Sequence, residues 1–463
     1  AALEAAGARQ AKVISLLSPA DPPSIRDTVY CLIDGDADRR AIERDIHAAV
    51  ARAGADTPGF RLKQAVQFER IGPLRIPEIG VFAGTKVTAL VEVENAWLAT
   101  LVEAGVAPGA AGADLRGLVG PDDLEALAAA AERDGNPVTA LVRLLRERAD
   151  GDTARWLHRG LTSQDVVDSA LMCCLRDALG AVGTALGQQI ATLVALTERH
   201  RDAPILARTL TQPALPSTAG LKFATWLAAV LDASEALAGL PVPPVQVGGA
   251  AGTMAAAAEL TGSPEGALAL SDALADAIGL ARALPWHTTR GPLTRFGDAL
   301  VGCCDAWGRI ANDVAAGART AEFAEGSGGG SSTMPHKSNP VLSVLLRRTA
   351  LVAPPLGATL HAAAAAGVDE RADGGWHAEW ATIRTLARHT VAAAGQCADL
   401  LTGLRFDATR AAANLSAASG ILAEQQAMVE LTGRPTSPSY LGTTDLLVDA
   451  ALRRAREHLK GSQ

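Results

Sequence analysis

Aromatic residues are scarce in this chain, 3% of 463, and only two of them are tyrosine. A core of this length must therefore be built mainly from aliphatic side chains, and alanine-rich stretches favour long helices that pack closely. The six cysteines (31, 173, 174, 303, 304 and 397) form no CxxC and no Cys/His metal spacing. Buried thiols in a reducing compartment are the expectation, and neither a disulfide framework nor a metal site is called for. Positive charge is in deficit, with 42 Lys and Arg against 50 Asp and Glu and a net charge of −8. That balance provides no footprint for nucleic acid. No apolar run approaches the roughly 20 residues that would span a bilayer. The N-terminus lacks a signal-peptide pattern. A soluble, cytoplasmic chain without a membrane or nucleic-acid partner is expected.

What the chain does have is a loop, Glu325 to Pro340, reading EGSGGGSSTMPHKSNP. Its glycines free the backbone to approach a ligand, and successive N–H groups in such a loop form an anion-binding concavity. Lys337 adds fixed positive charge, while Pro335 and Pro340 stiffen the far side. A Gly/Ser linker has this composition too, but a linker does not account for the MPHKSNP that follows. Serines beside a lysine in a glycine-rich loop point to chemistry on a small anion.

Two textures meet near residue 90. Thr28–Ile33, Phe60–Ile71 and Thr85–Glu92 read as strands and Arg39–Ala53 as an amphipathic helix, a small α/β (α+β) pattern. Beyond it the chain is mainly α. Periodic segments cover Leu115–Asp134, Thr139–Arg148, Ser163–His200, Ser217–Leu240, Arg295–Asp313, Pro340–Ala366, Glu379–Leu404 and Ala408–Leu431. Helices of this length joined by short Gly/Pro loops predict an elongated helical bundle.

The loop resembles the GSSxMPxKxNP signature of the fumarase/aspartase superfamily, and five further runs resemble that family in the required order. WLHRGLTSQD (156–165) is similar to its HxGxTSQD element. There Thr162, Ser163 and Gln164 offer neutral donors to a carboxylate, and His158 stabilises charge or shuttles protons. A helix N-cap at Thr162 or Ser163 explains the same residues, and both readings can hold because a helix N-terminus is itself an anion site. ARTLTQPALPSTAGLK (207–222) resembles GRTHxQPAxPxTxGxK, with Leu210 where most members carry histidine. Gln212 remains as a polar ligand, and Arg208 is either a ligand or a structural ion-pair partner. VQVGGAAGT (245–253) and PWHTTR (285–290) resemble cycloisomerase elements, with Gln246 to orient a carboxylate and Arg290 to clamp one bidentately. VDERADGGWHAEW (368–380) resembles the ERAxGxWxAEW segment of the same branch; Arg371 meets an additional carboxylate, and Trp376 and Trp380 pack.

The resemblance implies the fumarase/aspartase helical-bundle fold, with lyase domains at 93–205 (shortened at its start), 206–395 (carrying the loop) and 396–463. It implies Ser331 as the base that removes a proton next to a carboxylate, with Lys337, Asn339 and Ser332 around the substrate and a minor role for His336. Leu210 and the GGWHAEW segment direct it to the carboxymuconate cycloisomerase branch, interconverting 3-carboxy-cis,cis-muconate and 4-carboxymuconolactone. No metal or organic cofactor is implied, and family members assemble as homotetramers with sites shared between chains. Another lyase of the fold, expelling nitrite or an amine, or a non-catalytic protein on the same fold, is the alternative. Residues 1–92 resemble the C-terminal part of acetylating acetaldehyde dehydrogenases. They lack a GxGxxG after a strand, and Cys31 sits in an apolar run, so no dehydrogenase activity is expected.

Overall fold

The structure is a computed structural model and describes residues 85–326, 329–330, 334, 337–371 and 373–461. The expected strands and helix before Thr85 lie outside the described residues. Two compact units divide the chain: Gly120–Ala140 groups with residues up to Val87, and Thr88–Val119 groups with everything from Leu141 onward.

Helix α1, Thr85–Glu103, begins where a strand was expected at Thr85–Glu92. Valine and threonine bias that segment locally toward a strand. The bias is overridden because Leu90, Trp97, Leu98 and Leu101, all buried, recur at helical spacing. In the smaller unit, α2 (Leu124–Asp134) ends at Gly135, whose φ of 68° closes the helix in the left-handed region. Helices α3 (Val138–Arg148) and α4 (Gly151–Trp156) follow.

The larger unit is a helical bundle, as expected. Its spine is α5, Ser163–Arg199, a helix of 37 residues. After it comes a hairpin that the sequence reading missed, β1 (Pro204–Thr209) and β2 (Gln212–Thr218), paired antiparallel. Helices α6 (Ala219–Ala238), α7 (Ala255–Thr261), α8 (Pro264–Ile278) and α9 (Gly291–Arg319) succeed it. The short strands β3 (Phe323–Ala324), β4 (Gly329–Gly330) and β5 (Ser338–Asn339) frame the loop. Then α10 (Val341–Ala365), α11 (Gly374–Gly403), β6 (Arg405–Phe406), α12 (Ala408–Ala417), α13 (Ala423–Thr432) and α14 (Thr444–Gly461) complete the chain. The single helix expected over Ala408–Leu431 is thus two.

Helices α5, α6, α9, α10 and α11 pack around one apolar core that includes Leu186, Ile190, Phe296, Leu300 and Leu386. Polar side chains fix their register. Gln189 donates to the Ala394 carbonyl at 2.8 Å and accepts from Trp307 Nε1 at 2.7 Å, tying α5, α9 and α11 together. Gly308 lets α9 approach α10, since a Cβ there would lie 2.5 Å from the Ala350 methyl. Ser163–Arg199 and Val341–Ala365 prove long and apolar enough, by length and composition alone, to cross a membrane, which no uninterrupted apolar run had indicated. Both are bundle helices here. Four of the aromatics, Phe223, Trp226, Phe323 and Phe406, stack edge-on or tilted beside His200, at the end of α5.

Candidate active site

The candidate residues fall into two groups, one at each end of α5. At its start, Thr162 is in extended backbone and its N–H donates to Asp165 Oδ2 at 2.9 Å, so the helix N-cap reading holds. Asp165 is fully buried and accepts three more bonds, from Gln246 Nε2 (3.1 Å), Gly248 N (2.8 Å) and Gly249 N (3.0 Å). The glycine-rich run 246–252 is therefore strapped across the first turn of α5. Burial pushes the Asp165 carboxyl up to about 6, although all four donors favour its charged form.

One turn further, Asp168 receives Arg290 Nη1 at 2.7 Å and Nη2 at 3.1 Å, Trp376 Nε1 at 3.0 Å and Gln164 Nε2 at 3.2 Å. Arg290 also donates Nη2 to Glu379 at 2.6 Å and stacks over Trp286, 4.7 Å from the ring centroid. Burial opposes the Arg290 charge, but the two carboxylates outweigh it and raise the guanidinium above its usual value. Burial likewise raises Glu379, against the pull of Arg290.

His287 lies in the same cluster, and the sequence reading passed over it. Its Nδ1 is buried without a partner, and burial followed by the Arg290 charge lowers its pKa. The ring rests on Gly252: a Cβ there would sit 2.1 Å from His287 Cε1, on a backbone with φ of +78°. Gly252→Ala is expected to lower the thermal midpoint by an amount equivalent to about 2–3 kcal/mol, combining left-handed strain with overpacking. An unchanged melting curve would show that His287 has room to move aside.

Before α5, His158 occupies the left-handed region with φ of 61°, and its Nδ1 meets Glu94 Oε1 at 2.6 Å. Thr162 Oγ1 accepts from Arg371 Nη2 at 2.8 Å, and Arg371 is otherwise exposed. Ser163 is half-buried.

The second group surrounds the end of α5. Leu210 and Thr211, with φ of 48° and 70°, form the two-residue turn between β1 and β2. Positive φ at both central positions is the mark of a type I′ turn, which suits hairpin twist even without glycine. Leu210 stands 96% exposed at the tip, with Gln212 exposed beside it. Arg208 donates twice to Glu322, at 2.9 and 2.8 Å, and Glu322 also accepts from Asn414 at 2.8 Å. Of the two roles open to Arg208, this is the ion-pair arrangement. The base of the loop is held by Glu325, which accepts from Leu342 N (3.0 Å), Ser343 N (2.8 Å) and Ser343 Oγ (2.6 Å). Gly329 and Gly330 pair with Asn339 and Ser338, folding the loop back on itself. Lys337 is exposed and Asn339 half-buried, while Ser331, Ser332 and His336 lie outside the described residues.

Structure thus gathers the TSQD, QVGGAAGT, PWHTTR and GGWHAEW segments at one end of α5, and the hairpin and loop at the other. Gln164, Gln246 and Arg290, read as substrate ligands, here bond to the chain's own groups. Gln246 holds Asp165 and the Trp286 N–H (2.8 Å), and Gln164 holds Asp168 and the His287 carbonyl (2.9 Å). Arg290 is not a free carboxylate clamp, because Asp168 and Glu379 already engage each of its nitrogens. Glu94, Asp165, Asp168, His287, Glu322 and Glu379 complete the two groups and were not singled out from sequence. An acid inside an apolar helical run, as at Asp165 and Asp168, was the available signal, since buried charges are paired.

Known proteins bear on the same segments. A family model described as lyase matches residues 122–354, and one described as prokaryotic acetaldehyde dehydrogenase, dimerisation, matches residues 1–98. The chain is 40% identical over 377 residues to a nitrosuccinate lyase of Streptomyces davaonensis, covering 76% of this chain and 79% of that one. It is 38% identical over 354 residues to a 3-carboxy-cis,cis-muconate cycloisomerase of Bradyrhizobium diazoefficiens, covering 73% and 76%. The crystal structure of a 3-carboxy-cis,cis-muconate lactonizing enzyme from Pseudomonas putida superposes with a TM-score of 0.72 at 28% identity, over 80% of this chain and 94% of that one. An N-terminal stretch similar to a dehydrogenase dimerisation domain thus precedes a helical bundle that belongs to the fumarase/aspartase superfamily of lyases.

Proposed function

We propose that this chain is a lyase acting by proton transfer on a small polycarboxylate, and that its reaction interconverts 3-carboxy-cis,cis-muconate and 4-carboxymuconolactone without a metal or organic cofactor. The observation that carries this reading is Leu210, an aliphatic side chain at the exposed tip of the β1–β2 hairpin. Leaving groups that are strong bases, such as hydroxide or an amide anion, need a proton donor in the transition state. A carboxylate, whose conjugate acid has a pKa near 4, leaves as a stable anion and needs none. In the lactone-opening direction Ser331 takes the proton beside a carboxylate, electrons move to form the C=C bond, and the ring C–O bond breaks onto the departing carboxylate oxygen. Lactonisation is the reverse.

Each chain holds the two groups at opposite ends of a 37-residue helix, about 55 Å apart at 1.5 Å per residue. We infer that a complete site brings the TSQD end of one copy to the hairpin and loop of others, as in a homotetramer. Thr162, Ser163 and Arg371 would then meet Lys337, Asn339 and the loop serines across subunits, while Gln164, Gln246 and Arg290 position the first group from behind.

Expulsion of nitrite from nitrosuccinate is the second reading. The relation to a nitrosuccinate lyase favours it. So does the engagement of Arg208 and Arg290 by the chain's own acids, which leaves fewer cations for a third carboxylate. Nitrite also leaves without a proton, so Leu210 suits both. The assembled protein should consume one of the two substrates, followed by loss of muconate absorbance or by release of nitrite. Turnover of neither by a tetramer would overturn the proposal. Mixing Thr162→Ala with Ser331→Ala subunits should restore part of the activity that each variant lacks alone, and no recovery would refute the shared site.

A further inference from the structure

The pairing of Glu94 with His158 is a further constructed element of the first group. Glu94 projects from α1 and is fully buried, and its Oε1 lies 2.6 Å from His158 Nδ1. Its other oxygen is buried with no hydrogen-bond partner. A half-satisfied buried carboxylate is costly unless a positive charge sits beside it. His158 retains 16% exposure, and with Nδ1 taken by Glu94 its Nε2 is the ring atom left for a substrate. The backbone is pinned as firmly as the ring. His158 is non-glycine at positive φ, and the carbonyls on either side are held by Arg146 Nη2 on Leu157 (2.8 Å) and Trp97 Nε1 on Arg159 (2.7 Å). Strained residues over-determined in this way cluster at functional sites.

We propose that Glu94 is a positioning residue of the active site, fixing the His158 ring through Nδ1 and holding it as an imidazolium whose Nε2–H faces the substrate carboxylates. The inference rests on the reading of the TSQD end as half of a lyase site. It supplies a fixed cation where Leu210 supplies none and where Arg290 is engaged within the chain. The charged groups that bear on His158 are Glu94 on α1, Arg146 on α3 and Asp165 on α5. Burial and Arg146 oppose the imidazolium, and Glu94 and Asp165 outweigh them, so the pKa is raised.

The test is Glu94→Gln in the full-length oligomer, measured as kcat and KM against pH on whichever substrate the wild type consumes. The expected result is an alkaline limb displaced to lower pH. At pH 8 kcat should fall roughly ten- to a hundredfold, the range seen when carboxylates that orient histidines elsewhere are removed. Most of it should return at pH 6, where the imidazolium forms unaided. Glu94→Gln added to His158→Gln should cost nothing more. A uniform loss at all pH values, or additive losses, would make Glu94 merely structural and overturn the proposal.

Thermal melts separate this from failure of the lyase reading, because they need no substrate. A histidine with a raised folded pKa adds stability that is complete below its unfolded value of 6.5 and is lost as pH rises through the folded value. Wild type should therefore exceed Glu94→Gln in melting temperature by more at pH 6 than at pH 9. An equal gap at both values would refute the charged pair even if the enzyme were active.

Discussion

Arg290→Met is expected to lower the stability of the bundle by about 3–5 kcal/mol, the cost of breaking a buried ion pair by removing one partner. Arg290, Asp168 and Glu379 are each at most 3% exposed, and one guanidinium serves two carboxylates. Removing it strands two buried anions where the N-terminal turns of α5, α9 and α11 meet, since Asp168 and Glu379 each lie in the second turn of their helix and Arg290 is the N-cap of α9. Arg290→Lys should recover little, because an ammonium cannot donate in parallel pairs to two carboxylates while stacking on Trp286. Glu379→Gln added to Arg290→Met should recover part of the loss by leaving a single anion. Thermal and denaturant midpoints of the assembled protein measure all three. A loss below about 1 kcal/mol for Arg290→Met, the scale of a surface pair, would show that water reaches the cluster.

That cluster marks where sequence reasoning reaches its limit. The segments were legible because glycine, proline and polar residues recur in fixed local order, and the structure brings four of them together. What Arg290 touches was not legible. Asp168 lies 122 residues before it and Glu379 89 after it, and only the parallel course of α5 and α11 joins the three. Arg208 and Glu322 repeat the case across 114 residues. Locally, the strand expected at Thr85–Glu92 followed β-branched residues that tertiary burial overrode. The hairpin after α5 was missed because Pro213 and Pro216 argue against a central strand. In a two-stranded sheet both strands are edges, so prolines are tolerated, and the Leu210–Thr211 turn has none of the residues that announce it.

Ser331→Ala is expected to reduce kcat by about 10²–10⁴, the usual contribution of a positioned general base. The substitution removes one oxygen from a loop whose framework lies elsewhere. Glu325, buried at the loop entry, accepts the first free N–H groups of α10, from Leu342 and Ser343, and so ties entry to exit. The β4–β5 rungs then bring Ser338 and Asn339 beside Gly330 and Gly329. None of these bonds uses the Ser331 side chain, so assembly and melting temperature should match the wild type, and KM should change little. A serine hydroxyl acts as a base only if its alkoxide is stabilised by N–H donors, by nearby positive charge and by exclusion of water. Lys337→Met should therefore lose activity as well, and with a raised KM, since an ammonium that binds a carboxylate acts in the ground state too. Glu325→Gln supplies the contrast. It weakens the frame without touching the reacting atoms, so it should lower the melting temperature while costing less in kcat than Ser331→Ala. If Ser331→Ala instead keeps more than a tenth of wild-type kcat, the base is not Ser331, and the neighbouring Ser332→Ala becomes the decisive variant.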